Sequence, residues 1–231
     1  MKKIGIIIFI IAIVLGVAIA NLISSDNSAG SVPIVSHNSV QGSGFIISEK
    51  RDLADFSGID VSSAFHVEVS AQKDYEFEIS ADDNILPLVE TSVSDGVLRI
   101  SLKEGIKASS PIRIRISVPN IDRIEASGAS KISVANLKNE SLQIDSSGAC
   151  RIDLAGETRD LIVDVSGAGN INASELRSKT AHVDASGASQ VDVFVTDRLS
   201  SDASGASRIT YSGDPTNAEK RSSGVSRISQ K

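Results

Sequence analysis

One short phrase, Ser-Gly-Ala followed by a small residue, recurs six times in the C-terminal half of the chain, with Val replacing Ala in the last copy. The glycines are separated by 20, 19, 20, 18 and 19 residues. A period near 19 that tolerates a shift of one residue is typical of stacked coils, in which each copy is one layer of the structure. The six glycines are Gly128, Gly148, Gly167, Gly187, Gly205 and Gly224.

Each copy is flanked by positions that are almost all aliphatic, and we expect these to face the interior. One lies three residues before the serine, and the other lies two residues after the small residue that closes the phrase. These positions hold Ile124, Ile144, Val163, Val183 and Ser201 before the glycines and Ile132, Ile152, Ile171, Val191, Ile209 and Ile228 after them.

A coil that turns within two residues needs a backbone with positive φ, which glycine adopts without penalty. We therefore predict an all-β fold, a right-handed parallel β-helix or solenoid with coils of about 19 residues and glycines at the turns. The polar stretches 136–141, 155–160, 174–180 and 196–198 are predicted to be connections that absorb differences in length. The polar last copy, 221–231, is predicted to end the stack.

Upstream of the repeats, hydrophobic and polar residues alternate with a period of two, most clearly over Phe65–Val69 and Ile112–Val118. This alternation predicts strands with one buried face. We expect these strands to be longer than the later ones and to form the first layers of the same stack, covering an edge that would otherwise be free to pair. Residues 82–89 are predicted to form a turn followed by one short helical turn.

The N-terminus has the sequence pattern of an export signal. Lys2 and Lys3 precede an uncharged apolar run from Ile4 to Ala20. This pattern predicts either a signal peptide that is cleaved after small residues or an uncleaved membrane anchor, residues 1–20 in both cases. Residues 21–43 are predicted to be a flexible linker and 44–231 the solenoid domain. The domain is therefore expected outside the cytoplasmic membrane, anchored through residues 4–20 or secreted.

Composition excludes several classes of function. The formal net charge is −6, and binding to a nucleic-acid backbone needs a basic surface. The single cysteine, Cys150, excludes an internal disulfide, a cysteine-rich metal site and a lipoprotein signal. Tryptophan is absent and aromatic residues make up 3%, so we expect a narrow interior lined by Ile, Val and Ala.

Four stretches of the chain form a recognisable set: Phe56–Ile59, Asp82–Leu86, Thr91–Leu98 and the iterated Ser-Gly-Ala-Ser followed by an aliphatic residue. Together they resemble the putative auto-transporter adhesin, head GIN domain family, a bacterial cell-envelope family. The resemblance covers roughly residues 45–229. It implies a β-helix-like all-β fold, an exported location and an adhesin-like role, and it carries no catalytic motif.

An acidic column precedes the glycines, because almost every copy has a carboxylate two residues before its serine. Carboxylates stacked about 4.8 Å apart repel one another, so we expect compensation. One possibility is pairing with serine hydroxyls or with the basic residues Lys131, Arg151, Arg208 and Arg227. The other is a row of calcium ions, to which Asp153 and Asp192 could add ligands. The acidic residues are Glu125, Asp145, Asp164, Asp184 and Asp202.

Catalysis has little support in the sequence. His182, Asp184 and Ser186 share one side of a predicted strand, but serine recurs at that position in every coil while histidine does not. We therefore predict no catalytic residues, no cofactor beyond possible calcium, and an adhesin-like module that binds an extracellular or envelope protein or glycan. Two alternatives remain: a polysaccharide-processing enzyme using Asp145, Arg151 and Asp153, and a structural envelope protein that forms homo-oligomers.

Overall fold

The computed structural model describes residues 39–231. The predicted leader, 1–20, and most of the predicted linker lie outside the described residues. The described chain is an all-β solenoid of about five turns with parallel stacked coils, as the repeat predicts. No helix among residues 39–231 has the length and apolarity needed to cross a membrane.

Seventeen strands build the described chain. The first nine are β1 (Val40–Gln41), β2 (Ile46–Lys50), β3 (Gly58–Ser63), β4 (Phe65–Ala71), β5 (Glu76–Asp82), β6 (Val89–Ser94), β7 (Val97–Leu102), β8 (Ile106–Lys107) and β9 (Ile112–Val118). The others are β10 (Arg123–Gly128), β11 (Lys131–Ser146), β12 (Arg151–Val165), β13 (Asn170–Ala185), β14 (Gln190–Ala203), β15 (Arg208–Ser212), β16 (Asn217–Ser222) and β17 (Arg227–Gln230).

Each coil contributes one stretch of strand before its Ser-Gly-Ala corner and one after it, so the stack has two long faces. Face 1 contains, in spatial order, β6, β7, β3, β10, residues 141–146, 160–165, 180–185 and 198–203, and β16. Face 2 contains β2, β5, β9, β4, residues 131–135, 151–154, 170–173 and 190–194, β15 and β17.

The strands before the repeats form the first layers of the same stack, as predicted. The β3–β4 layer lies between the β7–β9 layer and the β10–β11 layer, and all these neighbours are parallel. β6 and β5 then pair antiparallel with β7 and β9, which ends the parallel stack. A single 3-10 turn at Leu86–Leu88 confirms the short helical turn.

The expectation of longer strands at the N-terminal end is wrong. β3 and β4 have 6 and 7 residues, whereas β11 and β13 each have 16. The difference arises because the polar stretches opposite the glycine corner also pair with their neighbours instead of forming loops. Shifts of register there, for example between Val134 and Leu137, absorb the unequal coil lengths without breaking the strand.

The interior is a narrow apolar column. Every position predicted to face inward from Ile124 to Ile209 is buried, and Ile228 of the last coil is partly buried against the core. Ser201 is the polar member of this set, and its hydroxyl donates to the Glu219 carbonyl at 3.3 Å.

The corners place glycine against glycine. Gly167 has φ +89°, and a Cβ built on it would lie 2.7 Å from the carbonyl oxygen of Gly148, one coil below. That same oxygen accepts a hydrogen bond from the Ala168 N–H at 2.7 Å. All six glycines of the phrase share positive φ and a backbone atom within 2.9 Å of the missing Cβ.

The N-terminal end is held by a buried carboxylate. β structure begins at Val40, inside the range predicted as linker, where β1 pairs with β8. Asp82 accepts hydrogen bonds from the Ser109 hydroxyl, from the Ser109 N–H at 3.0 Å and from the Gly44 N–H at 2.7 Å. The side-chain hydrogen bond from Ser109, opposed by desolvation and supported by the backbone donors, lowers the pKa of Asp82.

The corner geometry predicts a large cost for a methyl group at Gly167. Gly96 is the matched control, because it has φ +73° but open space around its missing Cβ. We expect Gly96→Ala to lower the free energy of unfolding by about 1 kcal/mol, from backbone strain alone. Gly167→Ala should cost roughly 2 kcal/mol more, because it also overpacks the corner. Urea unfolding followed by circular dichroism measures both changes. Equal losses of stability would contradict the close contact between Gly167 and the Gly148 carbonyl.

Asp82 should make stability sensitive to acid. Its pKa is lowered in the folded chain, so its contribution is complete above the unfolded value of about 3.9 and is lost as pH falls through the folded value. Asp82→Asn should therefore be less stable than wild type at pH 7 and lose less stability between about pH 5 and pH 2. Asp95→Asn, at a turn, is the control and should keep the wild-type pH profile in urea unfolding.

Candidate functional site

The acidic column exists as a stack in register on face 1. Glu125 pairs with Asp145, Asp145 with Asp164, Asp164 with Asp184, and Asp184 with Asp202. Each member is therefore the direct neighbour of the next across one strand spacing.

The structure adds a member that the sequence analysis missed. Asp60 stands next to Glu125 in register, so the acidic column has six carboxylates. Asp60 is followed by Ser62, Ser63 and Ala64, which is the corner phrase with serine in place of glycine. Ser63 has φ 110°, and its carbonyl accepts the Ala129 N–H at 3.2 Å. The phrase was present in the sequence but was not recognised, because serine stands in place of the glycine.

Arginines close both ends of the acidic column. Arg99 is in register with Asp60 at one end and Arg221 with Asp202 at the other, with N···O distances of 3.8 Å and 3.5 Å.

Most carboxylates between these ends also have a polar partner two residues earlier on their own strand. Arg123 lies 3.0 Å from Glu125 and His182 lies 3.3 Å from Asp184. The Gln143 amide donates to Asp145 at 2.9 Å. Asp164 follows Ile162 at that position and has no ion pair or side-chain hydrogen bond among residues 39–231.

The prediction that the acidic column pairs with the basic residues after the corner is wrong. Lys131, Arg151, Arg208 and Arg227 lie on face 2, beyond the turn, and form no ion pair within the described part of the chain. The corner rotates the chain between the two positions, so residues six apart in sequence point from different faces.

The serines that close the phrase form hydrogen bonds within the corner and not with the acidic column. Ser207 is buried, and its hydroxyl donates to the carbonyls of Ser204 at 2.8 Å and Ala185 at 3.1 Å. Cys150 occupies the equivalent place and is a buried free thiol.

No three His, Cys, Asp or Glu side chains among residues 39–231 come together in a way that would hold a metal ion. The calcium row therefore stays a prediction. The possible triad is also incomplete: His182 contacts Asp184, whereas the Ser186 hydroxyl donates to the Val165 carbonyl at 3.4 Å. Nucleophilic catalysis needs a base bonded to the serine, and His182 is not bonded to it.

Face 2 carries a groove of about 450 Å³ that we call the polar groove. Its side chains come from successive coils, at the first and third positions after each corner. They are mostly half-buried, and Tyr211 at its floor is buried in the core. The residues used below are Arg151, Asp153, Asn170, Asn172, Gln190 and Asp192.

Amides and carboxylates alternate in the polar groove. Asp153, Asn172 and Asp192 are neighbours in register, so an amide separates two acids, in contrast to the acidic column. Asn172 Nδ2 donates to Asp153 at 3.4 Å, and Gln190 Nε2 donates to Asp192 at 3.0 Å. The polar groove therefore combines donors and acceptors without strong like-charge contact.

Sequence reasoning did not assemble the polar groove. It considered Asp153 and Asp192 as additional calcium ligands and assigned no role to Asn170 and Gln190. Their common offset from each corner was the available signal. The predicted set of Asp145, Arg151 and Asp153 does not come together, because Asp145 lies on face 1 and the other two lie on face 2.

The fold and the two faces define a β-solenoid with polar lateral surfaces. The family described as "putative auto-transporter adhesin, head GIN domain" matches residues 55–215, and the chain belongs to it. No curated protein matches the chain.

Solved structures share the fold. A crystal structure of a "putative adhesin" from Bacteroides fragilis superposes with a TM-score of 0.69 at 20% identity, over 83% of this chain and 100% of that one. Another "putative adhesin", from Parabacteroides merdae, gives a TM-score of 0.51 at 16% identity, over 83% of this chain and 98% of that one.

Repulsion in the acidic column should make Asp164→Asn stabilising. Asp164 stands between two carboxylates without a partner, so its neutralisation should raise the free energy of unfolding by about 0.5 kcal/mol at 10 mM salt. The gain should vanish at 1 M salt, where the Debye length is about 3 Å. Asp202→Asn is the control, because it removes the partner of Arg221 and should not stabilise. A stabilisation by Asp164→Asn that persists at 1 M salt would contradict the electrostatic origin.

Proposed function

We infer that the chain is an exported, non-catalytic, adhesin-like binding module of the cell envelope. The observation that carries this inference is the polar groove, in which half-buried amides and carboxylates and the exposed side chain of Arg151, from successive coils, line one lateral face. Membership in the adhesin family supports the same role. The leader predicted at residues 1–20 supports export and a location outside the cytoplasmic membrane, either anchored through residues 4–20 or released.

The arrangement of polar groups favours binding over catalysis. A hydrolytic site needs an acid, a base or a nucleophile gathered around one reacting atom. Here the charged residues are spread at one strand spacing along two faces, and the residues proposed for a polysaccharide-processing site lie on different faces. Spread, repeated contacts suit an extended partner that touches several coils at once.

The role predicts that the full chain binds a component of a cell surface. The full chain, kept in a detergent without a sugar headgroup, is tested against a glycan array, extracellular matrix proteins and its own cell envelope. We expect saturable binding to at least one of these and no turnover of the bound partner. No binding in any of the three tests would overturn a binding role.

Self-association of the chain is the structural alternative to binding a different partner. Ile46 and Ile47 are about half exposed on β2, which pairs on one side only within the described chain. Such an apolar edge is a site at which a second copy can add. Sedimentation of the full chain over a hundredfold concentration range separates this structural role, seen as growing oligomers, from binding to a different partner.

A further inference from the structure

The polar groove presents donors and acceptors side by side. A carboxylate can only accept hydrogen bonds, whereas the amide nitrogens of Asn and Gln can only donate them. In the Gln190–Asp192 and Asn172–Asp153 pairs these groups stand next to each other, 3.0 Å and 3.4 Å apart. A hydroxyl group both donates and accepts, so one such pair can satisfy it completely.

The two pairs come from coils at neighbouring levels of the stack. Asn172 and Asp153 lie opposite each other on adjacent strands about 4.8 Å apart, and Gln190 and Asp192 both lie on the next strand, so the two pairs are adjacent along the polar groove. Arg151 and Asn170 lie beside them, and their side chains have no hydrogen-bond partner within residues 39–231. The polar groove therefore holds unused donors next to both pairs.

We propose that the polar groove binds an uncharged, hydroxyl-rich glycan, whose hydroxyls are held by the Gln190–Asp192 and Asn172–Asp153 pairs. Arg151 and Asn170 supply further donors to the same ligand. This inference rests on the binding role proposed above and specifies the class of partner and the residues that select it.

Other ligand classes fit the polar groove less well. A protein interface is centred on exposed aromatic or aliphatic anchors, and here Tyr211 is buried beneath the polar side chains. A nucleic acid needs a basic surface, but Asp153 and Asp192 offset Arg151 and Lys231 in the lining. A glycan without charge is compatible with this balance. The residues that line the polar groove include no exposed aromatic ring for stacking, so we expect a single glycan chain to bind weakly.

The test uses the full chain labelled with 15N in a zwitterionic detergent, titrated with cellohexaose, mannohexaose and chitohexaose. The signals followed are the side-chain amides of Asn170, Asn172 and Gln190, assigned by single substitutions. Gln143 is an internal control, because its amide makes the same contact with Asp145 on face 1. We expect saturable shifts of the polar-groove amides with at least one hexasaccharide and no shift of Gln143.

Matched variants test the residues. Gln190→Ala should weaken binding of the active hexasaccharide roughly five- to tenfold, the value of one or two neutral hydrogen bonds. Gln143→Ala should leave the affinity unchanged. Gln190→Glu keeps the side-chain shape, removes the donor and should weaken binding as well. Dispersed backbone amide signals verify that each variant is folded.

The outcomes separate this inference from the binding role. No saturable shift, equal shifts of Gln143 and Gln190, or tighter binding of the charged hexagalacturonate would overturn the uncharged-glycan groove. If the chain nevertheless binds a protein or a cell envelope in the broader screen, the binding role stands without it. If nothing binds in either experiment, both are overturned.

Discussion

The close contact of each corner glycine with the corner carbonyl one coil below, which belongs to Ser63 for Gly128 and to a glycine for the other five, is the constraint on which the stack depends. That carbonyl accepts the next N–H, as Gly148 accepts from Ala168 at 2.7 Å, and it occupies the space of a Cβ. At the six glycine corners a Cβ would clash with this carbonyl, and the coils turn at equivalent positions, where Ser63 of the first coil also has positive φ. The hydrogen bonds of both faces then continue in register from coil to coil.

Register repeats each outward side chain at one strand spacing, and the two faces respond differently. On face 1 carboxylate follows carboxylate, with arginines in register at both ends and local partners for most members. On face 2 amides stand between the acids. The same backbone thus produces one surface under electrostatic strain and another in which donors and acceptors are balanced. The outward columns, and not the repeated phrase, make the two surfaces different.

Much of the fold could be predicted, because alternation along a strand and glycine at a corner are local properties. The inward columns, the parallel stack and the turn at Leu86–Leu88 follow from them. Other features depend on neighbours. The place of Asp60 in the acidic column was not predicted, because the corner of its coil has Ser63, which adopts positive φ, where the other corners have glycine. The long strands went unpredicted, because whether a polar stretch is a loop or a paired segment depends on the coil beside it.

By itself the sequence determined that the chain is a stack of coils with Gly-based corners, an aliphatic interior and an acidic position before almost every turn. Only the tertiary structure decided which outward residues share a face. Asp145 and Arg151 are six positions apart, but the corner sends them to different faces, whereas Asp153 and Asp192 line the same groove although they are 39 positions apart. Sequence spacing records the direction of a side chain along one strand, and stacking determines its neighbours.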